Sequence, residues 1–169
     1  SRKNGSGDSY WENVEGYGNT LSAMRATSMP DASPAVPGVN SPCLEYDMYL
    51  FSADTVSVNL SLAPTLNFMP GRDIHIGVSF DEQSPQIETV IPGDYNAQNG
   101  NHDWEKCVAD NMRKISSQQV ISRSGKHTLK IWMIDPGVVL EKIVVDAGGM
   151  KPSYLGPPES PILNITAFD

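Results

Sequence analysis

Residues 55–62, Thr55-Val56-Ser57-Val58-Asn59-Leu60-Ser61-Leu62, alternate without a fault. Val56, Val58, Leu60 and Leu62 fall on one side, and Thr55, Ser57, Asn59 and Ser61 on the other. Successive side chains of an extended chain point to opposite faces, so a period of two marks a strand with one face in a core and one in water. Working outward, 73–80 repeats the pattern with Ile74, Ile76, Val78 and Phe80, and 44–51 sets Leu44, Tyr46, Met48 and Leu50 against Glu45 and Asp47. Gln86–Ile91 is a shorter strand closed by Pro92-Gly93. The gap Ala53-Asp54 and the Pro/Gly-containing gap 63–72 read as turns between antiparallel neighbours. Further on, 126–134 and 138–145 read as a hairpin-like pair across Asp135-Pro136-Gly137, a strong turn tripeptide. The second of these is apolar on both faces, as a central strand is.

Other segments carry weaker signals. Trp104, Val108, Met112 and Ile115 recur at helical spacing and predict one short amphipathic helix, while 115–121 is ambiguous. Residues 1–42 are rich in Gly, Ser, Asn and Pro and predict loop with one short strand, carrying Tyr10, Trp11 and Tyr17 as anchors. Gly/Pro-rich chain from 148 leads to a last strand over 162–168. The whole, 1–169, reads as a single all-β domain, an antiparallel β-sandwich with one short helix. It divides into a loop-rich lead-in (1–42), a strand core (43–147) and a tail (148–169).

Composition narrows the function. The 169 residues suffice for a sizeable core, and a hydrophobic share of 39% is ordinary for a globular chain. A net charge of −8 with scattered arginines argues against nucleic acid, because phosphate binding needs clustered Lys and Arg. No apolar run reaches the ~18 residues of a membrane-spanning helix, so no membrane partner is expected. The chain starts at Ser1 without a secretory signal, which reads as a fragment or processed product. Cys43 and Cys107 leave two states open, a single bridge or two buried thiols. His75, His102 and His127 show no metal-ligand spacing, so no metal is expected.

Candidate chemistry is sparse. Glu45 and Asp47 sit two apart on one strand face, with carboxyls roughly 7 Å apart. That is near the separation of the acid and base in inverting glycosidases, and its plain rival is a solvated strand face. No nucleophile elbow, phosphate loop or dinucleotide fingerprint is present, so no catalytic residue is assigned. Aromatic rings stack on the apolar faces of sugars. Trp11, in a polar loop, is the best such candidate, with Tyr17 beside it, whereas Trp132 and Trp104 are expected in the core. The run Pro64-Thr65-Leu66-Asn67-Phe68 joins two strands at one end of the sandwich, where binding residues concentrate, and Asn67 is taken from it as a third carbohydrate-binding candidate. In the tail, Tyr154, Leu155 and Pro157 form an apolar, donor-poor patch expected against a neighbouring domain or subunit.

The run 125–146 (GKHTLKIWMIDPGVVLEKIVVD), followed by 148–160 (GGMKPSYLGPPES), resembles the C-terminal domain of glycoside hydrolase family 115, whose members are xylan α-1,2-glucuronidases. The loop 64–68, the strand 44–51 and the Trp11 region resemble the same domain, so the likeness covers nearly the whole chain. It implies a jelly-roll sandwich related to galactose-binding and carbohydrate-binding modules, appended to a barrel-bearing core that removes glucuronic or 4-O-methylglucuronic acid from xylan. It also implies a secreted or periplasmic setting. The partners it implies are the catalytic domain in cis, a second copy in a homodimer, and xylan. Related modules often bind calcium or ligand through an acidic N-terminal strand. The chain reads as starting after that strand, so no cofactor is expected.

Overall fold

The computed structural model describes residues 1–3, 8–18, 21–29, 32–69, 71–98, 100–151, 153 and 156–161. Among these, the strands are β1 (Arg2–Lys3), β2 (Tyr10–Glu15), β3 (Ser22–Thr27), β4 (Cys43–Leu50), β5 (Thr55–Leu62), β6 (Ile74–Phe80), β7 (Gln86–Ile91), β8 (Arg113–Val120), β9 (Gly125–Met133) and β10 (Val139–Asp146). One helix, α1 (His102–Asp110), precedes β8. The strands form two five-stranded sheets, ordered β1-β4-β9-β6-β7 and β2-β3-β10-β5-β8, with antiparallel ladders in both. The sequence predicts this sandwich class, and the inward residues follow its alternation. Val56, Val58, Leu60 and Leu62 are at most 1% exposed, and Ile74, Ile76, Val78 and Phe80 are wholly buried against Leu129 and Ile131.

The connections differ from expectation. The turns at 53–54, 63–72 and 135–137 close no hairpins, because β4, β6 and β9 lie in the first sheet while β5 and β10 lie in the second. Each turn instead arches across the core. Alternation states which face of a strand is buried and is silent on which neighbour completes its ladder. A short turn spans the ~10 Å between facing sheets as readily as it closes a hairpin within one. Sequential hairpins do occur at β2–β3 and β6–β7. The doubly apolar β10 is central, between β3 and β5, as expected.

The lead-in carries three strands where loop with one strand is the sequence expectation. In β3 the residue opposite Trp11 is the small Ala26, and Ala23, on the other face, is also buried. Alanines leave room for the indole, and they also erase the apolar period that would announce β3. The ambiguous 115–121 belongs to strand, mostly within β8. The helix ends sooner than the Trp104–Ile115 spacing predicts. Asn111 takes the left-handed conformation (φ 48) as C-cap, and Asn101 caps the other end by accepting from the Trp104 amide. Val108 is 52% exposed, Trp104 packs half-buried against the core, and Ile115 belongs to β8. The predicted strand 162–168 lies outside the described residues.

Because the strands alternate direction, one end of the sandwich gathers the 32–42 approach, the loops 63–73 and 92–101 and the turn 134–138. The other end gathers the turns at 51–54, 81–85 and 121–124.

Candidate functional site

The loop-bearing end is tied together by one buried carboxylate. Asp135 opens the turn between β9 and β10. Its Oδ1 accepts from Arg72 Nη2 at 2.6 Å, and its Oδ2 accepts from the His75 amide at 2.8 Å. The Asp135 side chain is 1% exposed and the guanidinium 37%, so the carboxylate is desolvated while the cation stays partly in water. Such a pair fixes an arch firmly, because removing one partner strands a buried charge. The same turn needs Gly137, whose φ is +85 and where a Cβ would run into the Phe68 ring.

Beside this clamp lies a shallow, open cavity of ≈ 390 Å³, lined by Leu66, Asn67 and the loop 93–97. Leu66 and Phe68 remain about half exposed at its edge. Burial pushes the Tyr95 phenol up to about 12, and the hydrogen bond to Cys107 adds to this while the Arg113 guanidinium, 4.9 Å from the ring centroid, opposes it. Tyr95 therefore stays neutral at ordinary pH and serves as lining. Cys43 and Cys107 are both buried and form no disulfide. Among the described residues no three His, Cys, Asp or Glu side chains gather as a metal-binding group.

The candidate residues do not assemble into one site. Trp11, the leading stacking candidate, is 2% exposed, belongs to the core and donates its indole N–H to the Pro42 carbonyl. It offers no ring face to a sugar. Tyr17 is 43% exposed in the turn after β2. Asn67 does line the cavity, but its amide is already engaged. Nδ2 donates to the carbonyls of Arg72 and Pro92, and Oδ1 accepts from the Met69 amide. Pro157 packs on its own sandwich, its carbonyl accepting from Lys142 Nζ of β10 at 2.8 Å. Tyr154 and Leu155 lie outside the described residues. Glu45 and Asp47 project from an open sheet face. There Ser1 Oγ donates to Glu45 and Thr128 Oγ1 to Asp47.

Trp132 is where the structure departs furthest from expectation. It alternates with the buried Ile131 and Met133, and so belongs to the opposite, outward face of β9. The period of two contained that signal, and the size of the residue masks it. The indole is half-buried, donates Nε1–H to Ser79 Oγ at 2.9 Å, and sits opposite Gly77. Around it on the same face lie Glu45, Lys130 and, at the strand end, Glu82, which accepts from Lys130 Nζ at 2.8 Å.

This architecture is that of a carbohydrate-binding-module β-sandwich. A family 35 carbohydrate binding module from Clostridium thermocellum superposes with a TM-score of 0.52 at 13% identity, over 86% of this chain and 92% of that one. The Podospora anserina GH26-CBM35 β-(1,4)-mannanase superposes with a TM-score of 0.51 at 10% identity, over 90% of this chain and 28% of the enzyme. Residues 1–159 match the glycosyl hydrolase family 115 C-terminal domain, and the chain belongs to that family. A family GH115 4-O-methyl-α-glucuronidase with specificity for decorated arabinogalactans superposes with a TM-score of 0.64 at 17% identity, over 88% of this chain. The chain spans 18% of that enzyme's length. No curated protein sequence matches it.

Proposed function

We propose that the chain is the non-catalytic accessory module of a xylan α-1,2-glucuronidase, a secreted or periplasmic enzyme that removes glucuronic or 4-O-methylglucuronic acid from xylan. In this reading the module supports the catalytic domain of the same polypeptide or its homodimer. The observation that carries it is the family match over residues 1–159 in a chain equal to 18% of a GH115 enzyme. That leaves the greater part of such an enzyme to house the chemistry. The site supports the same reading. Glu45 and Asp47 stand on an open strand face with hydroxyl partners, and a glycosidase pair works across a substrate held between its two carboxyls.

The test is incubation of this chain with glucuronoxylan and assay of free uronic acid. The expected result is no release. Turnover abolished by Glu45→Gln or Asp47→Asn would overturn the non-catalytic assignment. The rival reading, a sugar platform built from loop aromatics, loses its chief residue with Trp11 inside the core.

A further inference from the structure

We propose that the outer edge of β8 is a strand-pairing surface for a second copy of this chain, held shut by the side-chain amides of Gln83 and Gln86. β8 ends the second sheet as β7 ends the first, and among the described residues no strand pairs with its far side. The direction of its backbone groups follows from one bond. The Ile121 amide donates to the Asp54 carbonyl at 2.9 Å, beside β5, so the backbone groups of 119, 117 and 115 also turn toward β5. Those of 116, 118 and 120 turn outward. Two of these outward carbonyls are occupied. Gln83 Nε2 donates to the Val120 carbonyl at 2.9 Å, and Gln86 Nε2 to the Gln118 carbonyl at 2.7 Å. A buried network aims the second amide. Ser117 Oγ donates to Gln86 Oε1 at 3.2 Å, and the buried Gln119 donates Nε2–H to Ser117 Oγ at 2.8 Å.

The edge under this seam suits pairing. Residues 114–120 hold no proline, no glycine and no acidic side chain, in a chain of net charge −8. The other long edge strands carry carboxylates, Glu88 in β7 and Glu12 and Glu15 in β2, and a charged edge disfavours a pairing partner. Repulsion between two copies is therefore weakest along β8. The strand also complements itself when antiparallel. Pairing centred on Ser117 sets Ser116 opposite Gln118 and Lys114 opposite Val120, which is 61% exposed, and keeps the two basic ends apart. Such a ladder needs the outward carbonyls of Gln118 and Val120 as acceptors, and those are the ones the glutamines hold. The Gln86 side chain lies where the second strand's amide would come. Both glutamines are exposed, so the closure is made at the surface and is removable without touching the core.

The experiment is sedimentation velocity of this chain across a concentration series. Gln83→Met with Gln86→Met keeps the length of both side chains and deletes both amides. The account expects a monomeric parent and a double variant that self-associates as a dimer, at least about tenfold more tightly. Adding Ser116→Pro, which removes one outward amide and none that faces β5, restores the monomer. Gln83→Ala with Gln86→Ala carries the same expectation, should the methionines cause general precipitation. A folded double variant as monomeric as the parent overturns the proposal. So does a dimer that survives Ser116→Pro, or a parent that dimerises to the same extent. Precipitation of both pairs that Ser116→Pro does not prevent overturns it as well. The proposal does not rest on the accessory-module reading, which uronate release tests separately.

Discussion

The outer faces of the two sheets start from one binary pattern and end as different surfaces. On the second sheet, the outward positions at the middle of β5 and β8 are hydroxyls and amides that hydrogen-bond one another, flanked by Lys114 and Val120. Ser57 Oγ meets Ser116 Oγ at 2.8 Å, and Gln118 Nε2 donates to Ser57 Oγ at 3.0 Å. Across β10 the tail returns and caps Lys142 with the Pro157 carbonyl. On the first sheet the outward positions are charged and aromatic: Glu45, Asp47, Tyr49, Lys130 and Trp132. Both faces pair these groups locally, the second through hydroxyl and amide bonds, the first through Ser1 to Glu45, Thr128 to Asp47, Lys130 to Glu82 and the Trp132 indole to Ser79. Polar in an alternating pattern thus says nothing about whether a face carries neutral groups or charged and aromatic ones. The tryptophans follow the same division, with Trp11 of the second sheet pointing in and Trp132 of the first pointing out.

The largest effect expected from this contrast is on stability. Trp11→Ala should destabilise the chain by about 3–5 kcal/mol, the usual range for emptying a buried tryptophan site. Trp132→Ala removes a partly buried ring and one hydrogen bond, and should destabilise less, by about 1–2 kcal/mol. Urea unfolding of both variants checks the order. A larger loss for Trp132→Ala would break the inward–outward division.

A smaller effect sharpens it through pH. At the end of β6, burial alone would raise the Asp81 carboxyl, but the Thr128 amide and the His127 ring, bonded at 2.9 and 2.8 Å, outweigh it and hold Asp81 below its ordinary value. A carboxylate with a depressed folded value adds stability above its unfolded pKa of about 3.9, and loses it as pH falls through the folded one. The Asp81 side chain is 38% exposed, so solvent screening keeps the contribution under about 1 kcal/mol. Stability measured from pH 6 to pH 2 should fall below pH ~4 in the parent and fall less in Asp81→Asn. Ser57→Ala, which removes a hydroxyl and no titrating group, should leave the slope unchanged. An identical acid slope in the parent and Asp81→Asn would remove Asp81 from the account.

Much of the fold is legible in the sequence because alternation reports burial directly. Val56 through Leu62 and Ile74 through Phe80 occupy the inward positions that their period assigns. Pairing is not legible, since a ladder is made by backbone groups common to every residue, and arches at 53–54 and 135–137 use the same turn residues as hairpins. β3 escapes notice because its buried positions are alanines. The site is harder still. Trp11 lies in a Gly- and Asn-rich neighbourhood that suggests a loop, yet Ala26 opposite it makes a slot for the indole. Trp132 stands amid Ile131, Met133 and Ile134, and composition suggests core where parity dictates surface.

The central claim, that the first sheet holds its tryptophan outward while the second holds its own inward, is open to a direct chemical reading. Limited oxidation of the native chain with N-bromosuccinimide, followed by peptide mapping, reports the order in which Trp11 and Trp132 react. The account predicts that Trp132 is modified first, with Trp11 spared until denaturant is added. Oxidation of Trp11 at or before the rate of Trp132 in the native chain would contradict it.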